Sequence, residues 1–122
     1  MSDEYQFECP SADIEILARV ISDLFPEQTQ FVERSGDDGR VSLVIHYIAM
    51  RFGTTARRIA IDIHFDPAAL ARYRAMPPRM HARSYAVLRA YVETELGALE
   101  EMYANGETVP RNVAIDMGDD FA

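Results

Sequence analysis

"RVSLVIHYIAMRFGTTARRIAIDIHFDP", residues 40–67, reads as two strands around a turn. In its second half, "IAIDIHFDP" (59–67), Ile59, Ile61, Ile63 and Phe65 fall on one parity, and Ala60, Asp62, His64 and Asp66 on the other. Side chains alternate across a strand, so one face is apolar and the other carries Asp, His and Asp in a row. The first half, residues 40–52, is apolar on both parities. Leu43, Ile45, Tyr47 and Ala49 occupy one, and Val44, Ile48, Met50 and Phe52 the other. A strand of that kind sits centrally, with both faces covered.

The register between the two strands decides what the polar row can do. A two-residue loop beginning at Gly53 opposes Phe52 to Thr55, and so His46 to Ile61. A three-residue loop over 53–55 opposes Phe52 to Ala56, His46 to Asp62 and His64 to Val44. A one-residue slip flips every side chain to the other face, so the burial pattern favours the three-residue loop. That register aligns Leu43, Ile45 and Tyr47 with Phe65, Ile63 and Ile61. It also makes a cross-strand Asp62–His46 pair, which would fix the imidazole tautomer.

Working outward, "TQFVERS" (29–35) is a further strand, joined to the first through the turn cluster "GDDG" (36–39). Three strands with short connections make an antiparallel meander. Upstream, Ile14, Leu17, Ala18, Ile21, Leu24 and Phe25 recur at helical spacing. Ser11 is the expected N-cap and Pro26 the stop. Residues 1–10 are expected to be a flexible N-terminus, with alternating Tyr5, Phe7 and Cys9 the makings of a short edge strand.

Downstream, Asp66-Pro67 is a helix start, an acid at the N-cap followed by proline at the first helical position. The short helix continues through "AALARYRAM" to Pro77-Pro78. A long helix follows from about His81 to Asn105, with Tyr85, Leu88, Val92, Leu96, Leu99 and Tyr103 along one stripe and Gly106 as its terminator. "NVAIDM" (112–117) is a candidate fourth strand, and 118–122 an acidic, mobile tail. The fold class is therefore α+β: N-terminal helix, three-stranded antiparallel meander, short helix, long C-terminal helix packed on the sheet. A single domain over residues 11–117 accounts for it.

Charge is segregated. Residues 1–38 hold ten acids and two arginines, residues 39–92 nine arginines and two acids, and residues 93–122 eight acids and one arginine. All 12 basic residues are arginine, and the net charge is −8. Arg72, Arg74, Arg79, Arg83 and Arg89 lie in a stretch without acids, a candidate surface for an anionic partner. The simpler reading is that the acidic ends fold back onto them. Overall acidity argues against nucleic acid as a partner.

The chemistry-bearing candidates are His46, Asp62 and His64, a weak signal for an acid–base or metal site. Alternate strand residues lie about 6.6–6.8 Å apart, so Asp62, His64 and Asp66 do not easily ligate one ion. Asp66 reads first as a helix cap. No spacing matches a zinc or calcium pattern, a phosphate loop or a nucleophile elbow. No metal or cofactor is expected. The one cysteine, Cys9, has acids nearby, which makes a poor nucleophile. No secretory signal or membrane span is evident, so the expected location is the cytoplasm.

Helix–meander–helix order resembles the double-stranded-RNA-binding domain in topology, although the lysine-rich surface of that family has no counterpart here. Size, acidity and element order over residues 11–105 also resemble bacterial type III secretion chaperones, which are small acidic dimers. The expected role is a non-enzymatic interaction protein: adaptor, chaperone-like or regulatory. The alternatives are a small enzyme or metal binder using His46, Asp62 and His64, and an arginine-mediated binder of phosphate or RNA. A homodimer is expected, to hide the apolar surface that the helices leave.

Overall fold

The computed structural model describes residues 5–49 and 57–122. Five strands form one sheet in sequential order: β1 (Tyr5–Glu8), β2 (Thr29–Ser35), β3 (Val41–Ala49), β4 (Arg57–Phe65) and β5 (Asn112–Met117). Three α-helices connect them: α1 (Ala12–Ser22), α2 (Pro67–Ala75) and the long α3 (His81–Ala104). The mixed α+β class stands, with a sheet larger than the expected meander. The meander β2–β3–β4 is antiparallel, and the candidate strand at 112–117 is present as β5.

Both outer strands pair parallel to their neighbours, β1 to β2 and β5 to β4. Each parallel pair needs a crossover, and the helices supply it: α1 between β1 and β2, α2 and α3 between β4 and β5. Strands β1, β2, β4 and β5 all run in one direction, opposite to β3. Both crossovers step the same way across the sheet. Crossovers of one hand then land on the same side.

The core reflects this. Ile14, Leu17 and Ile21 of α1, Leu70 and Tyr73 of α2, and Leu88, Val92 and Leu99 of α3 join one cluster with Phe31, Leu43, Ile45, Ile59, Ile61, Ile63 and Ile115. Every strand residue in that cluster belongs to one parity.

Residues 5–10 and 118–122 are built into the fold, where a flexible N-terminus over 1–10 and a mobile tail over 118–122 were expected; residues 1–4 lie outside the described residues. Phe7 stacks on Phe31 at 5.1 Å, and the Tyr5 hydroxyl donates to the Phe25 carbonyl. At the other end Phe121 is fully buried against Phe65 and Tyr73, and Ser84 Oγ donates to its carbonyl at 2.6 Å. The alternation of Tyr5, Phe7 and Cys9 marks the edge strand β1, whereas the burial of Phe121 has no local sequence signature, because it depends on distant segments arriving.

Helix termini follow the local chemistry more closely. Asp66 caps α2, accepting from the Ala69 amide at 3.1 Å with Pro67 at the first turn. Gly106, at φ +75°, closes α3 as a Schellman motif, with Glu107 N–H donating to Met102 O and Gly106 N–H to Tyr103 O. Ser11 stands at the α1 N-cap, but its side chain makes no cap bond. Its amide and hydroxyl both donate to the Glu33 carboxylate on β2, at 2.9 and 2.7 Å. A tie between α1 and the sheet replaces the local cap.

The β3–β4 register differs from both expected ones. Val44 opposes Asp62, His46 opposes Ala60, and Ser42 opposes His64. The face assignment inferred from burial holds, while the strands are displaced by two residues from the three-residue-loop register. The cross-strand Asp62–His46 pair is therefore not formed. The turn at 53–55 and the Phe52–Ala56 pairing lie outside the described residues.

Candidate functional site

The sheet face away from the helices is a surface that the core leaves unused. Three registered rows cross it. The first is Gln6, Gln30, His46, Ala60 and Asn112. The second is Glu8, Val32, Val44, Asp62 and Ala114, and the third is Arg34, Ser42, His64 and Asp116. Ile48 and Arg58 form a further pair beyond the first row. Among the described residues no helix covers this face. Val44 is buried by its neighbours, whereas Ile48 is 49% exposed. The apolar second parity of β3 thus faces outward, where two covered faces were expected.

The candidate residues His46, Asp62 and His64 all lie on this face. His64 and Asp62 are brought together along β4, with Nε2 3.6 Å from Oδ2. That separation is an ion-pair distance, too long for a hydrogen bond. Asp62 Oδ1 is buried and has no hydrogen-bond partner among the described residues. An unpaired buried carboxylate oxygen is costly. His46 sits one row away, opposite Ala60. Among the described residues no group of three or more His, Cys, Asp or Glu is arranged to hold a metal ion. Asp66, the third acid of the polar row, is spent on the α2 cap.

At one end of the same face the third row borders an open cleft of about 650 Å³. Arg34, Ser42, His64, Asp66, Asp116 and Gly118 line it. It carries both signs of charge. Ser42 and His64 face each other across β3 and β4, and no hydrogen bond joins them. The general-base contact that a serine nucleophile requires is thus not made.

The five arginines at 72–89 divide into two groups. Arg72 binds Asp119 and the Ala122 carbonyl, Arg74 binds Asp13, and Arg89 binds Asp23 and the Val20 carbonyl. Each of these acids comes from one of the acidic ends of the chain. Burial pushes the Asp13 carboxyl up, but the Arg74 hydrogen bond and charge outweigh it and leave the group below its ordinary range. The Arg89 hydrogen bond holds Asp23 low in the same way. Arg79 and Arg83 are exposed beside Met80 and make no ion pair among the described residues. Five arginines are thus not presented as one surface.

Cys9 is half-buried, and its thiol is pushed up to about 11 by burial and by Glu33 and Glu15. A thiol held protonated in this way makes a poor nucleophile. Among the described residues no helix is long and apolar enough to cross a membrane.

The polar parity of β4, legible in the sequence through Ala60, Asp62 and His64, faces away from the helices, whereas the apolar second parity of β3 pointed to a covered face that the helices do not supply.

No curated protein and no solved structure matches this chain. Residues 14–118 match the family described as "Protein of unknown function (DUF3022)". That span runs from the first core residue of α1 through β5, and the chain belongs to this family.

Proposed function

We propose that this chain is a non-enzymatic, cytoplasmic interaction protein, an adaptor, chaperone-like or regulatory factor, whose working surface is the helix-free face of the sheet. The observation that carries the reading is the composition of that face. Apolar Val32, Val44, Ile48, Ala60 and Ala114 lie among Gln6, Gln30, His46 and Asn112, with charged groups at Glu8, Arg34, Arg58, Asp62 and Asp116. Apolar and polar groups interspersed in this way suit a non-obligate protein interface. The lack of a nucleophile–base contact and the separation of His46 from Asp62 weigh against catalysis on the same surface. A free Cys9 suits a reducing compartment.

The test is cross-linking in the native host followed by identification of captured proteins, for the wild type and for Ile48→Arg. Ile48 is exposed, so the variant should stay folded. Proteins captured by the wild type and lost in Ile48→Arg support the reading. Identical capture by both overturns it, as would turnover of a substrate that depends on His64.

A further inference from the structure

We infer that the open sheet face binds a second copy of this chain, through a two-fold axis that runs across the strands along the row Gln30, His46, Ala60 and Asn112. This rests on the reading of that face as an interaction surface. The residues on either side of the row are self-complementary. A two-fold axis lying in the face reverses each strand over its own copy. On β3, Ile48 lies one step to one side of His46 and Val44 one step to the other. The axis therefore seats Ile48 of each copy over Val44 and the adjacent Val32 of the other. On β4, Arg58 and Asp62 flank Ala60 in the same way. The axis brings the guanidinium of each copy to the carboxylate of the other, twice.

Three observations support this placement. Arg58 forms no ion pair among the described residues, so its charge is available. The Asp62 side chain is part-exposed on the same face and its only ion-pair contact among the described residues is the His64 ring at 3.6 Å, so it can take a second cationic partner. Ala60, on the axis, is small enough for two sheets to approach at the usual spacing of about 10 Å, which an arginine side chain spans. Arg58 and Asp62 are four residues apart on one strand, about 13 Å, so they cannot satisfy each other within the chain.

Size is adequate. Five strands span about 19 Å, and nine-residue strands run about 26 Å. The projected area of about 500 Å², enlarged by side-chain relief, approaches the roughly 800 Å² per partner of a standard interface. The same patch serves both copies, as a two-fold contact requires.

The test is mass in solution by light scattering at high micromolar concentration. The wild type should run at twice the chain mass of 13.8 kDa. Ile48→Arg, at an exposed position, should be folded and monomeric. Arg58→Asp and Asp62→Arg should each weaken self-association at least tenfold, because each places like charges across the axis. Mixing these two variants should restore a dimer, since each then offers the charge that the other lacks. A wild type that is monomeric overturns the inference, as does a dimer that survives Ile48→Arg. A dimer broken by the single variants and not regained on mixing overturns the axis through Ala60. If Asp62→Arg fails to fold, mixing Arg58→Asp with Asp62→Asn should give partial recovery, and none would overturn the pairing. A monomeric wild type that still loses a captured protein on Ile48→Arg removes the second copy and leaves the interaction reading intact. Unchanged capture together with a monomeric wild type removes both.

Discussion

On the helix side of the sheet Ile45, Ile59, Ile61 and Ile63 are fully buried, while on the other side of the same two strands Ile48 and His64 face solvent. The backbone ladder is common to both sides. The difference comes from the alternation of side chains and from where the crossovers land. Two parallel crossovers that step the same way across a sheet put all their helices on one side. The other side must then be polar enough to stand in water or be covered by another molecule. Here it is mixed, with valine and isoleucine on β3 and small or polar residues on β4.

The contrast predicts a steep difference in mutational cost. Phe121→Ala, at the bottom of the helix side, should cost about 3–5 kcal/mol through lost burial and a cavity. Urea unfolding checks it, and a cost below about 1 kcal/mol would mean that the C-terminal segment is not core. Asp66→Ala should cost about 0.5–2 kcal/mol, because it removes the α2 cap. The same measurement distinguishes the capping role from a ligand role, since capping loss is indifferent to added metal.

Gly97 offers a gain. It lies exposed inside α3, and a Cβ there would meet nothing within 4 Å. Gly97→Ala should stabilise by up to about 1 kcal/mol, read as a raised urea midpoint with unchanged slope. On the open face, Ile48→Ala should change monomer stability by less than about 0.5 kcal/mol when measured at low protein concentration. A cost near that of a core isoleucine would show that something covers Ile48.

Acid should act on the helix side through the pairs that tie the chain ends to the arginines. The folded carboxyls of Asp13 and Asp23 lie below their unfolded values. Their contribution is complete above the unfolded value near 3.9 and is lost as pH falls through the folded values. Asp13→Asn and Asp23→Asn should therefore narrow the stability gap between neutral and acid pH. Both pairs are largely solvent-exposed, so this is the smallest of the expected effects.

The sequence by itself determined what is local. The spacing of Ile14, Leu17, Ala18 and Ile21 makes α1. The alternation at 59–65 makes β4 and chooses its buried face. Asp66-Pro67 starts α2, and Gly106 ends α3. These depend on side-chain periodicity and on the conformational preferences of single residues, which a neighbouring segment does not alter. It also separated the charges that Arg72, Arg74 and Arg89 later join to Asp119, Asp13 and Asp23. Tertiary structure decided the rest. A two-residue displacement keeps every side chain on its face, so the burial pattern could not choose between opposing His46 to Asp62 and opposing it to Ala60. Phe121, a lone aromatic beside two acids, has no periodicity to reveal that it is core. Ser11 looked like a cap until Glu33 arrived from β2. The bare face follows from the parallel pairing of β1 and β5. Strand direction is a relation between segments far apart in the chain, and no local spacing records it.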